Sequence, residues 1–327
     1  MSVSLDRSRP GSLSSVRVGV VEIGSRSIRL LVADLCLETG LRPVMTRSSE
    51  ARLIEAVRQG PDAVAVAMAE VQACIRAFRI TAAELHVDKL RVIGTRALRE
   101  ILANGGDQAL VADIDILSEE DEATFSLIAS LRGLPDVDAS FREVMLVDQG
   151  GGSLEIVRGA TGRNPHLLES ISLPLGSNGV ITRMKALNRD VGAFRRDCAR
   201  TLDAMTPPRF PEDGRLILQG SIATRCAWLA IRRTAREPYE PWRIQGRVLT
   251  TAALVQMMRV FESVPSSGWS QLRASVSPNA PQSDELEAVI GGIVLFLQLM
   301  GKWNVGEFTV SGYGTRYGVA WALAGLA

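Results

Sequence analysis

The sequence predicts an α/β protein made of two duplicated domains with a cleft between them. Its 327 residues are enough for about two domains of roughly 150 residues each. Short β-branched runs alternate with segments of helical periodicity, which is typical of layered α/β architectures. A strand–glycine turn–strand pattern also occurs twice, once at the start of each half, and this repetition indicates a duplication.

The first half begins with a predicted β-hairpin. The β-branched run Arg17–Gly24 ends in glycine, which signals a strand entering a turn, and Ser27–Leu35 is the predicted return strand. The pattern of residues 51–58 is ambiguous. The remaining predicted elements are helix Ala63–Phe78, strand Leu90–Ile93, helix Arg96–Leu102, strand Ile114–Leu117 and a helix from Glu119 to about Leu131.

The second half begins near Phe141 with a second predicted hairpin, EVMLVDQGGGSLEIVRG. The apolar run Val289–Met300 is 12 residues long, whereas a bilayer span needs roughly 18, so it predicts a buried helix. Residues 263–282 are rich in Ser and Pro and predict a surface loop. Further predicted strands are His166–Leu173, Leu216–Gln219 and Phe308–Val310, and further helices are Asp190–Ala204, Ile222–Ile231, Thr250–Phe261, Leu286–Met300 and Arg316–Leu326.

The internal repeat aligns the two hairpins. A shift of 126 residues places Gly150 on Gly24 and Ser153 on Ser27, with a carboxylate two residues before each glycine. Both copies therefore consist of an apolar strand, a carboxylate, a glycine turn, a serine and another apolar strand. We expect the two hairpins to face one cleft.

The second glycine turn has the features of a phosphate site. Gly150, Gly151 and Gly152 can aim backbone N–H groups at an anion, and Ser153 adds a hydroxyl donor. Asp148 and Glu155 are symmetric about the turn, so a tight hairpin makes them face each other. Two facing carboxylates favour a bound Mg²⁺ when phosphate is nearby. The alternative is a plain glycine-rich hairpin with exposed acids.

The first turn, Gly24-Ser25-Arg26-Ser27, carries one positively charged side chain, Arg26, at its tip. Arg26 is expected either to reach an anionic substrate or to lie in solvent. The pair across this hairpin is Glu22 and Arg29, which indicates a salt bridge and not a second metal site.

Two further segments combine helix starts with charged side chains. Ser118 is a good N-cap for the acidic first turn of the predicted helix at 119–131, and a carboxylate there could alternatively accept a proton from an attacking water. Thr95 and Arg99 lie at the start of the helix after strand Leu90–Ile93, where an anion would be stabilised. The alternative is a capped helix with solvated arginines.

Composition excludes several functional classes. The net charge of +1 argues against a basic coat for nucleic acid, and we expect neither nucleic-acid nor membrane partners. Four scattered cysteines without C-x-x-C spacing indicate reduced thiols and a cytoplasmic protein. The first 16 residues have no apolar core of a signal peptide and are expected to be a disordered leader.

These motifs resemble those of the exopolyphosphatase and guanosine pentaphosphate phosphohydrolase (Ppx/GppA) family, in its short two-domain form. The resemblance covers about residues 17 to 322. The matching segments, in family order, are VVEIGSRSIRLLVADL, VIGTRALRE, ILSEEDEA, LVDQGGGSLEIV, ISLPLGS, GRVLT and VSGYGTRYGVA.

The resemblance implies two actin-like (ribonuclease H-like) domains. Domain I is expected at 17–135 plus 312–327, and domain II at 136–311. The resemblance also implies Mg²⁺-assisted hydrolysis of a terminal phosphoanhydride in polyphosphate or guanosine pentaphosphate, with guanosine tetraphosphate as a further ligand. The implied roles are catalytic base for Glu122, metal-linked carboxylates for Asp148 and Glu155, and phosphate contacts for Gly24, Ser25, Arg26, Ser27, Arg99, Gly150, Gly151, Gly152 and Ser153, to which the helix start adds Thr95.

The chain also departs from the family pattern. Glu22 and Arg26 replace the usual Asp and Asn, Ser221 and Ile222 alter a third glycine motif, and Tyr317 replaces a Glu. Glu285 and Glu287 stand where basic residues are expected. These changes leave open a catalytically weak binder of alarmone or polyphosphate that acts as a regulator, and the oligomeric state, a homodimer included, is also open.

Overall fold

The computed structural model describes residues 15–36, 39–162, 164–231, 243–264 and 284–325. Within these ranges the strands form two sheets, a five-stranded one of order β3-β2-β1-β4-β5 and a six-stranded one of order β10-β11-β9-β6-β7-β8. The strands are β1 (Val16–Ile23), β2 (Ser27–Cys36), β3 (Gly40–Glu50), β4 (Lys89–Gly94), β5 (Asp115–Ile116), β6 (Glu143–Gln149), β7 (Leu154–Ala160), β8 (His166–Leu173), β9 (Arg215–Gln219), β10 (Val248–Thr250) and β11 (Glu307–Ser311).

The helices of the described residues cover the outer face of each sheet and fill the space between the two sheets. They are α1 (Leu53–Gln59), α2 (Pro61–Glu84), α3 (Arg96–Ala103), α4 (Glu119–Gly133), α5 (Pro135–Ser140), α6 (Ser177–Ala186), α7 (Val191–Met205), α8 (Gly220–Ile231), α9 (Thr251–Glu262), α10 (Glu285–Trp303) and α11 (Thr315–Leu323).

The duplication is visible in the strand pairing. In the first sheet β1 is antiparallel to β2 and parallel to β4, and β2 is antiparallel to β3. In the second sheet β6 has the same relations to β7 and β9, and β7 to β8. Even the irregularity recurs: the register shifts after Val32 in β2 and after Arg158 in β7, two positions that the repeat superimposes.

Each shift is a β-bulge that leaves one extra residue in an edge strand. Val32 and Ala33 pair with Met45 and Pro43, so Val44 of β3 has no partner in the ladder. Arg158 and Gly159 pair with Glu169 and Leu167, so Leu168 of β8 is the extra residue. Both extra side chains are exposed.

Helices α4 and α11 lie between the two sheets. Ile128 and Ala129 of α4 pack with Tyr317 and Trp321 of α11 against the inner face of the first sheet. The opposite side of α4 packs Leu127 and neighbouring side chains against β6, β7 and β9. Helices α1, α2 and α3 cover the outer face of the first sheet, and α6 to α10 cover that of the second.

The hydrophobic pattern predicted most elements but not all of them. Helix α2 continues well beyond the predicted Ala63–Phe78. The ambiguous residues 51–58 belong largely to α1. Strand β3 and helix α6 were not predicted, because β3 is an exposed edge strand without apolar alternation and α6 begins with polar residues and glycine. The predicted leader lies almost wholly, and the predicted 263–282 loop mostly, outside the described residues.

Helix α10 is long and apolar enough to cross a membrane by length and composition alone. Most of its residues are buried against α6, α7, α8 and α9. This burial is typical of a core helix and confirms the prediction of a buried helix at 289–300.

The crossing of α4 and α11 depends on Gly318, because a Cβ there would lie 2.0 Å from the Phe125 carbonyl oxygen. We expect Gly318→Ala to lower the free energy of unfolding by about 1–3 kcal/mol, the usual cost of overpacking. Chemical denaturation measures it. Gly301→Ala in α10, where a Cβ meets nothing within 4 Å, should instead be neutral or stabilising by up to about 1 kcal/mol. Equal stability of the two variants would contradict this prediction.

Candidate active site between the two sheets

The two glycine turns have the same backbone geometry. In the first, the N–H of Gly24 donates to the Ser27 carbonyl at 3.0 Å, and in the second the N–H of Gly150 donates to the Ser153 carbonyl at 3.0 Å. The strands pair Glu22 with Arg29 and Asp148 with Glu155, as the symmetry of the sequence predicted. Both hairpins therefore end in a tight turn with a facing pair of polar side chains.

The strand alternation directs these pairs into the space between the sheets. Val20 faces α4 and α11, so Glu22, two residues later on the same strand, points the same way. Leu146 faces α4 from the second sheet, and Asp148 follows it in the same manner. Glu122, in the first turn of α4, completes a group of four carboxylates that we call the acidic cluster: Glu22, Glu122, Asp148 and Glu155.

Glu122 is mostly buried and is held by an arginine. Nη1 of Arg99 donates to its Oε2 at 3.0 Å and to the Leu117 carbonyl at 2.7 Å. Burial raises the pKa of Glu122 to about 7; Arg99 opposes this shift, while Glu22 and Asp148 add to it. A carboxylate with this pKa can accept a proton near neutral pH.

Asp148 and Glu155 are buried carboxylates on adjacent strands. Burial, followed by the nearby Glu22, raises the pKa of Asp148 to about 6, against hydrogen bonds from Gln219 and Ser126. Burial and the neighbouring Glu122 and Asp148 raise the pKa of Glu155 to about 8. The carboxylate of Asp148 thus disfavours ionisation of Glu155.

Glu22 forms its ion pair with a residue that the hairpin does not contain. Nη1 of Arg316, in the first turn of α11, donates to Glu22 Oε2 at 3.2 Å. Among the described residues Arg29 lies opposite Glu22 without forming an ion pair with it, so the expected partner was wrong. Burial and the nearby Arg316 lower the pKa of Arg29, while Glu22 and Asp148 raise it.

The two turns touch each other. A Cβ on Gly151 would lie 3.2 Å from Cγ of Arg26, so the Arg26 side chain runs over the second turn. A Cβ on Gly152 would lie 2.7 Å from the Ser25 hydroxyl, and Arg96 donates to the Gly152 carbonyl at 3.2 Å. Within the described part of the chain, no hydrogen bond or ion pair occupies the Arg26 guanidinium.

A family model described as "Ppx/GppA phosphatase family" matches residues 33–325. The chain belongs to this family. The match includes the second sheet, both interlayer helices and the first sheet from Ala33 onward, so it contains Glu122, Asp148 and Glu155 but neither Glu22 nor the first glycine turn.

Curated relatives and solved structures agree with membership of the Ppx/GppA family. The chain is 25% identical to exopolyphosphatase 2 of Mycobacterium tuberculosis, over 96% of its own length and 100% of the relative, and 25% identical to exopolyphosphatase 1 of Mycobacterium leprae over 82% and 79%. The structure of an Aquifex aeolicus Ppx/GppA enzyme has 23% identity and a TM-score of 0.74 over 94% of this chain and 100% of that one. A Cytophaga hutchinsonii exopolyphosphatase has 18% identity and a TM-score of 0.69 over 95% and 99%. These likenesses show the actin-like fold of the family.

The other predicted phosphate residues lie around the same space. Thr95 is buried, and its hydroxyl donates to the Ile23 carbonyl at 3.3 Å instead of capping α3. Ser153 is buried beside Glu155 and hydrogen-bonds it. The backbone N–H groups of Ser177 and Asn178, at the start of α6, donate to the carbonyl oxygens of Gly150 and Gly151, respectively. These hydrogen bonds anchor the second turn to α6.

The donor set of the second hairpin fits a divalent cation. Asp148 and Glu155 face each other in a buried place where neighbouring carboxylates raise the pKa of both, and a cation would relieve that repulsion. Among the described residues no three His, Cys, Asp or Glu side chains form a metal cage by themselves. Mg²⁺ suits such a site, because it keeps several waters and uses one or two carboxylates together with substrate phosphates.

Sequence reasoning missed several polar residues that hold the acidic cluster. Arg316 binds Glu22, and Ser126 and Gln219 bind Asp148. Arg316 stands in the family segment VSGYGTRYGVA, which was a usable signal. Ser126 and Gln219 had none, since one lies within an ordinary helix and the other at the end of an apolar strand.

The guanidinium of Arg99 lowers the pKa of Glu122, so its removal should raise that pKa. We expect Arg99→Met to move the Glu122 titration midpoint upward from about 7. Carbon NMR of the glutamate carboxyl groups, assigned with Glu122→Gln, measures the midpoint. Arg91→Met, which removes an arginine paired with Asp115 elsewhere, should leave it in place. An unchanged or lower midpoint in Arg99→Met would contradict this reading.

Proposed function

We propose that the chain is a hydrolase that removes the terminal phosphate of inorganic polyphosphate or guanosine pentaphosphate by water attack, assisted by Mg²⁺. Membership of the Ppx/GppA phosphatase family supports the reaction class. The relatives named exopolyphosphatases, matched over nearly the whole chain, favour polyphosphate. The cysteine pattern supports a cytoplasmic setting.

The observation that carries this proposal is the position of Glu122. It stands in the space between the two glycine turns, opposite Asp148 and Glu155, with a pKa near neutrality. A hydrolase of phosphoanhydrides needs a base for water beside a place where phosphate oxygens are neutralised, and this arrangement supplies both.

In the proposed mechanism the turns place the phosphates and Glu122 takes a proton from water. The Gly150–Gly152 turn allows phosphate oxygens to approach the backbone closely, and Arg26 supplies positive charge from the other half. Arg99 orients the Glu122 carboxylate through Nη1. Asp148 and Glu155 would hold Mg²⁺, which supplies neutralisation of phosphate charge when bound.

One observation favours the second candidate, a binder with weak catalysis. The ion pair with Arg99 stabilises the ionised form of Glu122 and makes it a poorer base than a free carboxylate in the same place. A regulator that binds polyphosphate or guanosine tetra- and pentaphosphate would need the turns but not a strong base.

Phosphate release from polyphosphate and from guanosine pentaphosphate, each with Mg²⁺, tests the proposal. Release from either substrate supports the hydrolase and identifies its preference. Binding of both ligands by calorimetry without release would overturn the hydrolase and leave the regulator.

We expect Glu122→Gln to lower kcat by about 10²–10⁴, the usual contribution of a general base, while ligand affinity stays within a few-fold. In the unsubstituted protein kcat/KM should rise with pH through about 7, because the base must be ionised, and the variant should lose this rise. Steady-state kinetics across pH 5.5–9 measure both. Glu119→Gln, an exposed neighbour of Arg99, is the matched control and should keep activity. Full activity of Glu122→Gln would remove Glu122 from the role.

We expect Arg26→Asn, which restores the usual family residue, to raise the dissociation constant for polyphosphate about tenfold, because a charge-assisted contact contributes about 1.5–3 kcal/mol. Calorimetry with polyphosphate of defined length measures it. Arg58→Asn at the end of α1 makes the same charge change away from the turns. Equal affinities of the two variants would show that Arg26 does not contact phosphate.

A further inference from the structure

Two chains of buried hydrogen bonds converge on one oxygen of Asp148. The Gln219 side-chain amide and the Ser126 hydroxyl both donate to Asp148 Oδ2, the latter at 3.3 Å. Behind Gln219, the Ser130 hydroxyl donates to its Oε1 at 2.6 Å. Behind Ser126 lies the hydroxyl of Thr315, at 2.8 Å.

The chemistry of the groups fixes the direction of both chains. Gln219 Oε1 can only accept, so Ser130 donates to it and the NH₂ group is turned toward Asp148. If Ser126 donates its single proton to Asp148, the contact between Ser126 and Thr315 must have Thr315 as donor. Each chain therefore delivers one donor to Oδ2, and the four supporting side chains are all nearly inaccessible to solvent.

The other oxygen of Asp148 is left open. Within the described part of the chain no hydrogen-bond donor reaches Oδ1. Gly220 lies beside this oxygen, because a Cβ there would be only 3.0 Å from Oδ1. Gly220 has a φ of 91°, a left-handed conformation that favours glycine, so the backbone itself keeps this side clear.

We propose that Ser126 and Gln219, supported by Thr315 and Ser130, are positioning residues that commit Oδ2 to hydrogen bonds and so make Asp148 a one-oxygen ligand, through Oδ1, of a small divalent cation. This inference rests on the proposed function only for the presence of the cation. The residues involved come from α4, α11 and β9, so three separate elements set the orientation of a single carboxylate.

The consequence is selectivity for Mg²⁺ over Ca²⁺. Mg²⁺ demands near-octahedral geometry and takes carboxylates through single oxygens, whereas Ca²⁺ accepts more ligands and frequently binds both oxygens of one carboxylate. An Asp148 whose Oδ2 is already committed cannot chelate through both oxygens. Outer-shell partners of this kind contribute about 10–100-fold to metal affinity.

The test measures metal affinity without turnover, on the full chain. Mn²⁺ is the probe, followed by electron paramagnetic resonance, and Mg²⁺ and Ca²⁺ compete for its site. The variants are Ser126→Ala, Gln219→Leu and their double, with Asp148→Asn to identify the site. Ser126→Thr keeps the hydroxyl, and Thr81→Ala removes a buried hydroxyl that bonds Ala77 and Arg47 far from the site.

We expect Ser126→Ala and Gln219→Leu each to weaken Mn²⁺ binding about tenfold or more, and Asp148→Asn to abolish it. In the double variant competition should shift toward Ca²⁺, because both carboxylate oxygens are then available. Ser126→Thr and Thr81→Ala should bind as the unsubstituted protein does. If Ser126 and Gln219 contributed only to stability, their variants would have a lower melting temperature and an unchanged Mg²⁺ to Ca²⁺ competition ratio.

Unchanged Mn²⁺ affinity and an unchanged Mg²⁺ to Ca²⁺ ratio in folded Ser126→Ala would overturn the positioning role, and this variant decides the question if Gln219→Leu does not fold. That result leaves the proposed hydrolase intact when Asp148→Asn still abolishes binding. Absence of Mn²⁺ binding to the unsubstituted protein would overturn the inference as well. Conversely, the expected affinities together with no phosphate release would sustain the inference and overturn the hydrolase.

Discussion

Repulsion among four carboxylates that share one buried space is the constraint around which the site is arranged. Glu22, Asp148 and Glu155 reach this space from the two hairpins, and Glu122 reaches it from α4. Two ion pairs with arginines and two chains of hydroxyl and amide donors offset part of the repulsion. Burial, with the repulsion that remains, raises the pKa of three of these side chains, and both effects favour binding of a cation together with phosphate.

The two halves repeat one topology but use it differently. The second turn carries two facing carboxylates, whereas the first carries a carboxylate and an arginine and takes its ion pair from α11. Helices α4 and α11 join these unlike halves, because α4 packs on both sheets, α11 packs on α4 and the first sheet, and their first turns supply Glu122 and Arg316. Glu22, where the sequence departs from the family pattern, therefore forms its ion pair with an arginine near the other end of the chain.

Patterns that are local in sequence predicted the hairpins well. The glycine turns, their cross-strand pairs and the acidic first turn of α4 could be derived because each lies within a few residues of its signal. The partners of Glu22 and Asp148 could not, since Arg316, Ser126 and Gln219 meet them only after the sheets and interlayer helices have assembled. Strand β3 was not predicted, because an exposed edge strand does not need alternating apolar residues.

The paired bulges have a consequence for behaviour in solution. A long, regular edge strand presents a row of unpaired N–H and C=O groups that can recruit a strand from another molecule. In β3 the ladder is interrupted at Val44, next to Pro43, which has no N–H to donate, and in β8 it is interrupted at Leu168. Straightening the bulge of β8 by deleting Leu168 would produce a continuous edge, and with it a template for aggregation.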